Sequence, residues 1–187
     1  MPNWCDTTYK AVGTKEQVKK FHELAKKSWD NDDNKGWLGH LVTELGGDWE
    51  KVHCRGWIRD EPYLRDDFGE EDYAECTLYT DCAWGEMDEW RHFIEKEIDG
   101  LVLYYLAIEP GMCEYYTNDD QYADKYYVDN VNDGTDILSE EGTIDYVNNF
   151  FGQHFKTIEE CINFAGEYGD DNGDQVLWIN AIEYSEN

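Results

Sequence analysis

Residues 3–29 read NWCDTTYKAVGTKEQVKKFHELAKKSW, and the two halves of this stretch carry two different periods. In the first half Cys5, Thr7, Tyr9 and Ala11 alternate with Asp6, Thr8 and Lys10, the period-2 pattern of a strand with one face buried. Gly13 ends the alternation. Thr14 and Gln17 then form a capping box, in which each side chain accepts the other residue's backbone N–H at a helix start. Val18, Phe21, Ala25 and Trp29 recur at helical spacing, so a strand feeds directly into an amphipathic helix.

The same pattern recurs downstream. Trp37–Leu45 predicts a short helix bounded by Gly46 and Gly47. Glu50–Ile58 predicts a second strand with Val52, Cys54 and Gly56 on one face, and the acidic stretch Asp60–Asp72 a loop. Ala74, Cys76, Leu78, Thr80 and Cys82 alternate with Glu75, Thr77, Tyr79 and Asp81, a half-buried strand. Met87, Trp90, Phe93, Ile94 and Ile98 share one helix face, and Glu86, Asp88 and Glu89 stand in the first turn, where the helix dipole favours anions. After Gly100, Leu101–Ile108 is apolar on both faces and predicts a central strand; Pro110-Gly111 suits a type II turn. Through residue 108 the order is strand, helix, strand, strand, helix, strand. That is the ferredoxin-like split βαβ order, an antiparallel sheet with both helices on one face.

Further strands are expected at Met112–Tyr116 and Lys125–Val131, which places a ferredoxin-like domain with extra hairpin strands at residues 1–131. Residues 132–187 predict an acidic helix-helix-strand extension packed on it. Its elements are helices at Ile144–Phe151 and Ile158–Tyr168, the second opened by a Thr157–Glu160 capping box, and a strand at Gln175–Tyr184. The fold class expected is therefore α+β: a ferredoxin-like sheet with an acidic C-terminal α/β extension.

The opening MPNWC, the Gly13 that ends the first strand, and Thr80–Trp84 (TDCAW) ahead of a helix resemble the YubB-type ferredoxin-like domain family of plasmids, phages and other mobile elements. The resemblance covers about residues 1–130, and Glu109-Pro110-Gly111 and Thr117-Asn118-Asp119 resemble a subset of the family. Many members carry a Trp-Gly-rich segment before the third strand; here only Gly56-Trp57 partly matches it, a departure from the family pattern. The resemblance implies the fold and a mobile-element context, and it implies no catalytic residues.

Charge narrows the class of partner. The chain of 187 residues holds 43 acidic and 15 basic residues, a formal net charge of -28. Such a surface repels nucleic acid and anionic membranes and attracts cations and basic protein patches. Residues 1–100 carry 24 acidic and 13 basic residues, whereas residues 101–187 carry 19 acidic residues against Lys125 and Lys156 alone. Aromatic content of 16 % rules out disorder, where such side chains are scarce. No apolar run reaches the roughly 20 residues of a spanning helix, and the N-terminal stretch has no apolar signal core, so a cytoplasmic location is expected. The six cysteines are scattered without a CxxC pair, which predicts reduced, buried thiols.

Catalytic signatures are missing: there is no GxSxG, no GxxxxGK[ST] and no GxGxxG, and no cofactor is expected. His40, His53 and Cys54 lack the second ligand pair that structural zinc needs. Asp30–Gly36 begins like a calcium loop, but positions 6 and 12 hold Lys35 and Leu41 instead of Gly and Glu. Asp170, Asp171 and Asp174 cluster oxygen ligands in one loop and are the metal candidates of an alternative reading, an enzyme or small-ligand binder holding Mg²⁺ or Ca²⁺.

The leading candidate surface lies where tyrosines interleave with carboxylates: Glu109, Glu114, Tyr115, Tyr116, Asp119, Asp120, Asp124 and Asp129. RNA-binding sheets combine such aromatics with cations, and the cations are missing here. Tyr beside carboxylates suits a basic protein partner instead. B-DNA carries one charge per ~1.7 Å, so 28 charges match about 48 Å of duplex, close to the roughly 40 Å span of a compact chain of this length. The expectation is a non-catalytic interaction protein, DNA-mimic-like, that engages a basic, nucleic-acid-binding protein of the host or its defences. Acidity that serves only solubility is the competing reading.

Overall fold

The computed structural model describes residues 3–170 and 172–185. The chain is mixed α+β, with five α-helices and ten strands among the described residues. Its contacts divide it into two compact units, Met1–Glu114 and Tyr115–Asn187. The boundary expected after residue 131 falls after Glu114 by this division, so the strand expected at Lys125–Val131 groups with the C-terminal unit.

The first unit contains β1 (Trp4–Gly13), α1 (Lys15–Trp29), α2 (Gly39–Glu44), β2 (Gly56–Ile58), β3 (Tyr63–Arg65), β4 (Ala74–Ala83), α3 (Asp88–Glu97) and β5 (Val102–Glu109). Strand β1 lies between β4 and β5, antiparallel to both, and Tyr9 faces Leu78 on one side and Tyr105 on the other. Strand β4 also pairs antiparallel with β2 and β3, giving the order β5-β1-β4-β2. Cys5, Thr7, Tyr9 and Ala11 are all buried, as the alternation requires. Both halves of the Thr14–Gln17 capping box form at the start of α1. Val18 and Phe21 of α1 and Trp90 and Ile94 of α3 join the same core. The Trp90 ring lies 5.0 Å from that of Tyr9 and 6.5 Å from that of Phe21, so α1 and α3 cover one face of the sheet together. Each large side chain so buried contributes about 1.5–3 kcal/mol by leaving water.

Three local expectations change in this unit. The strand predicted over Glu50–Ile58 contracts to Gly56–Ile58. A Cβ at Gly56 would stand 2.8 Å from Leu38 Cδ1 and 2.9 Å from Cys82 Sγ, so the backbone approaches the core where no side chain fits. The acidic loop Asp60–Asp72 contains β3, a short, charge-flanked strand of the kind that blunts a sheet edge. Pro110-Gly111 forms a 3₁₀ turn over Pro110–Met112, not a type II turn, because the Glu109 carboxylate accepts the Met112 N–H.

The C-terminal elements are β6 (Glu114–Thr117), β7 (Lys125–Asn130), β8 (Gly134–Ser139), α4 (Glu140–Phe151), α5 (Ile158–Glu167), β9 (Leu177–Ala181) and β10 (Glu183–Tyr184). Strands β8, β7 and β9 form an antiparallel sheet in that order, and β10 runs parallel to β6. Val128, Val147, Ile158, Cys161, Ala165, Leu177 and Ile179 make the core, with Phe151, Phe155 and Phe164 packed against it. The Thr157–Glu160 capping box forms as read.

Strand β8 was not foreseen. Its sequence, GTDILS, is mostly exposed, and it is defined by pairing with β7 across a hairpin where Asp133 N–H reaches Asn130 O at 2.9 Å. Helix α4 starts four residues before the expected Ile144, since Ser139 Oγ accepts Gly142 N–H and caps it. The single strand expected over Gln175–Tyr184 divides in two: β9 pairs with β7, and β10 leaves for β6. Among the described residues no helix is long and apolar enough to cross a membrane.

Candidate functional site

The residues of the acidic and tyrosine-rich segment separate into two kinds. Glu109 is buried at the end of β5, where its carboxylate caps the following turn. Asp119 is 4 % exposed; its Oδ1 accepts Gln121 N–H at 3.1 Å and its Oδ2 accepts Gln121 Nε2 at 2.8 Å. Tyr115 is buried, with its ring 5.2 Å from that of Tyr127 and its hydroxyl accepting Asn180 Nδ2 at 3.1 Å. These three are corrected from surface to structural residues. A buried carboxylate needs hydrogen-bond donors around it, and local backbone N–H groups supply them here.

Tyr116, Asp120 and Asp124 are exposed, while Glu114 and Asp129 are half-buried. Asp129 sits on β7 directly opposite Trp178 of β9. Residues 115–187 hold seventeen carboxylates against Lys125 and Lys156, and thirteen of the fifteen described ones are exposed. Part of this acidity has a local role. Glu140 and Glu141 occupy the first turn of α4 and Glu159 and Glu160 that of α5, where the helix dipole stabilises them. Backbone N–H groups of Lys156 and Thr157 hold the Glu160 carboxyl below the usual glutamate range.

In the metal-candidate loop, Asp170 Oδ1 accepts Asn172 N–H at 2.8 Å and Asp174 N–H at 3.0 Å. Those bonds hold the Asp170 carboxyl below the usual range and turn an oxygen toward the loop's own backbone. Asp174 is exposed, and Asp171 lies outside the described residues. Among the described residues, no group of three or more His, Cys, Asp or Glu side chains is placed to hold a metal ion.

A second site was missed by the sequence reading. The segment Glu50–Arg55 crosses the surface between α2 and β2 and, with Trp37, Trp49 and Glu89, lines a groove of about 490 Å³. That volume falls in the range of small-ligand sites, roughly 300–1,000 Å³. The rings of Trp37 and Trp49 meet edge to face, 5.1 Å apart at 76°. The Trp37 ring packs against Gly39 of α2: a Cβ there would come 2.3 Å from its Cζ2. The His40 ring stands 5.3 Å away, edge to face at 82°. Burial lowers the His40 pKa, so the imidazole is neutral near pH 7, with Nδ1 3.1 Å from Ser28 Oγ. Trp49 is 45 % exposed. Glu89 Oε2 accepts the His53 backbone N–H at 2.8 Å, which ties α3 to the groove wall. The only sequence trace of this site is a pair of tryptophans beside glycines, Trp37-Leu38-Gly39 and Gly47-Asp48-Trp49.

Comparison with protein-family models, with curated proteins and with solved structures finds no match to this chain.

Proposed function

We propose that this protein is a non-catalytic interaction protein whose anionic surface engages a basic, nucleic-acid-binding protein, in the manner of a DNA mimic. The observation that carries the reading is the exposure of thirteen carboxylates in a unit with two lysines. With so few cations available within that unit, most of these charges have no internal ion pair to serve and instead project a field into solvent. The order β5-β1-β4-β2, with α1 and α3 on one face, supports a ferredoxin-like assignment for the first unit. The MPNWC opening supports the YubB-type resemblance, and with it a mobile-element origin and a cytoplasmic site of action.

The test is competition. A basic DNA-binding protein loaded on a labelled duplex is titrated with this chain over a series of salt concentrations. The reading expects the duplex to be displaced, with an affinity that falls steeply as salt rises, because many exposed charges act together. An affinity indifferent to salt, or no displacement from any basic protein tried, leaves the acidity as a solubility device. The carboxylate-bound Mg²⁺ or Ca²⁺ reading draws less support, since Asp170 Oδ1 already accepts two backbone N–H groups and Oδ2 the Asn172 side-chain amide.

A further inference from the structure

We infer that the Trp37–Trp49 groove receives a guanidinium, an arginine side chain presented by the basic partner proposed above; the inference rests on that reading. A cation over an indole face is attracted by the ring's negative quadrupole, and a planar guanidinium can also stack on it. The first unit already uses this chemistry internally. Lys35 Nζ lies 3.8 Å from the centroid of the Trp29 ring, and the Arg65 guanidinium lies 4.5 Å from that of Phe68. Neither groove indole has a cation over its face among the described residues, although Trp49 is 45 % exposed.

The charges around the groove select the same ligand. Glu50 and Glu89 line it, and neither takes part in an ion pair among the described residues. Glu89 spends Oε2 on the His53 N–H, which leaves Oε1 to accept from a guanidinium. Lys51 is engaged by Asp48 at 2.8 Å, and its side chain is 80 % exposed. With Lys51 so engaged, Arg55 is the remaining cation of the lining, against the two carboxylates of Glu50 and Glu89. The chain's net charge of -28 adds a long-range bias toward cations. The seat of Trp37 against Gly39 fixes one wall before any ligand arrives, which lowers the ordering cost of binding.

The probe is N-acetyl-arginine methylamide, read by the indole N–H resonances of Trp37 and Trp49. N-acetyl-citrulline methylamide keeps the shape without the charge, and N-acetyl-lysine methylamide keeps the charge without the plane. The expected result is saturable shifts of both indoles with arginine, about tenfold weaker binding of citrulline, and weaker binding of lysine. Trp49→Ala, at an exposed position, should abolish binding and Glu89→Gln should weaken it severalfold, each with an unchanged circular dichroism spectrum. Equal binding of citrulline overturns the inference, as does equal binding of lysine or an arginine response that bypasses both indoles. The probe involves no partner protein, so its failure leaves the salt-dependence test of the acidic surface standing. Failure of that test while the probe binds would leave an arginine slot without the proposed partner.

Discussion

The guanidinium Nε of Arg91 and the carboxylate Oε1 of Glu86 meet at 3.0 Å inside the first unit, with 2 % and 10 % of their side chains exposed. The Tyr9 hydroxyl donates to the same Glu86 oxygen at 3.2 Å and accepts the Met87 N–H at 2.9 Å. Arg91 also lies over the Tyr105 ring, and its Nη2 has no hydrogen-bond partner among the described residues. The start of α3 is thereby tied to β1 through buried polar contacts. Burial pushes the Glu86 carboxyl above the usual glutamate range, and the nearby Arg91 and Tyr9 offset this only in part.

Removing one member of this pair should be costly. Arg91→Met leaves the Glu86 charge buried and uncompensated, a loss of about 3–5 kcal/mol in urea unfolding. The pH dependence has a definite sign. Because the folded-state pKa of Glu86 is raised, its contribution is complete below the ordinary glutamate value and is lost as pH rises through the folded value. The stability of wild type relative to Glu86→Gln should therefore decline across that window; a difference that grows with pH would contradict the assignment.

Thiol reactivity should single out one cysteine. Burial pushes the Cys5 thiol to about 11 and those of Cys76 and Cys82 to about 12, whereas Cys113 is exposed. The thiolate is the reactive form, so native protein at mildly alkaline pH should give one fast equivalent, at Cys113. The other five should react only on unfolding. Two or more fast equivalents, mapped by peptide mass, would show that the buried faces open readily.

Gly39→Ala tests the seat of Trp37. Alanine is the better helix former by about 1 kcal/mol, so propensity alone predicts stabilisation. The new Cβ would meet the indole at 2.3 Å and must displace it. We expect a net loss of about 1–3 kcal/mol, the usual cost of overpacking, with a red shift in tryptophan emission. A raised melting temperature would mean that the ring does not pack against Gly39.

Asp119 and its neighbours should behave oppositely. Asp119→Ala removes a buried cap and should cost about 0.5–2 kcal/mol of stability. Asp120→Asn and Asp124→Asn alter exposed side chains and should change stability by less than about 0.5 kcal/mol. The same two changes should weaken binding to a basic protein and reduce its salt dependence. Unaltered binding in the double variant would remove this stretch from the proposed surface.

Elements whose signals are local are legible in the amino-acid order alone. The β1 alternation, the α1 stripe from Val18 to Ala25, and the Thr14–Gln17 and Thr157–Glu160 caps each depend on residues within a few positions of one another, and all appear where they were read. Tertiary structure alone decided the rest. Strands β3 and β8 are mostly exposed and carry no clear apolar alternation, and they exist because β4 and β7 offer them an edge. A carboxylate reads as surface in any composition, yet Glu109 and Asp119 are buried because N–H groups of Met112 and Gln121 turn toward them. The groove shows the same division: Trp37 and Trp49 share no period, and their 5.1 Å contact forms where the fold brings both rings beside Glu50–Arg55 and Glu89. Periodicity and capping are properties of chain neighbours, whereas edge pairing, carboxylate burial and ring contact depend on which distant segments the fold brings together.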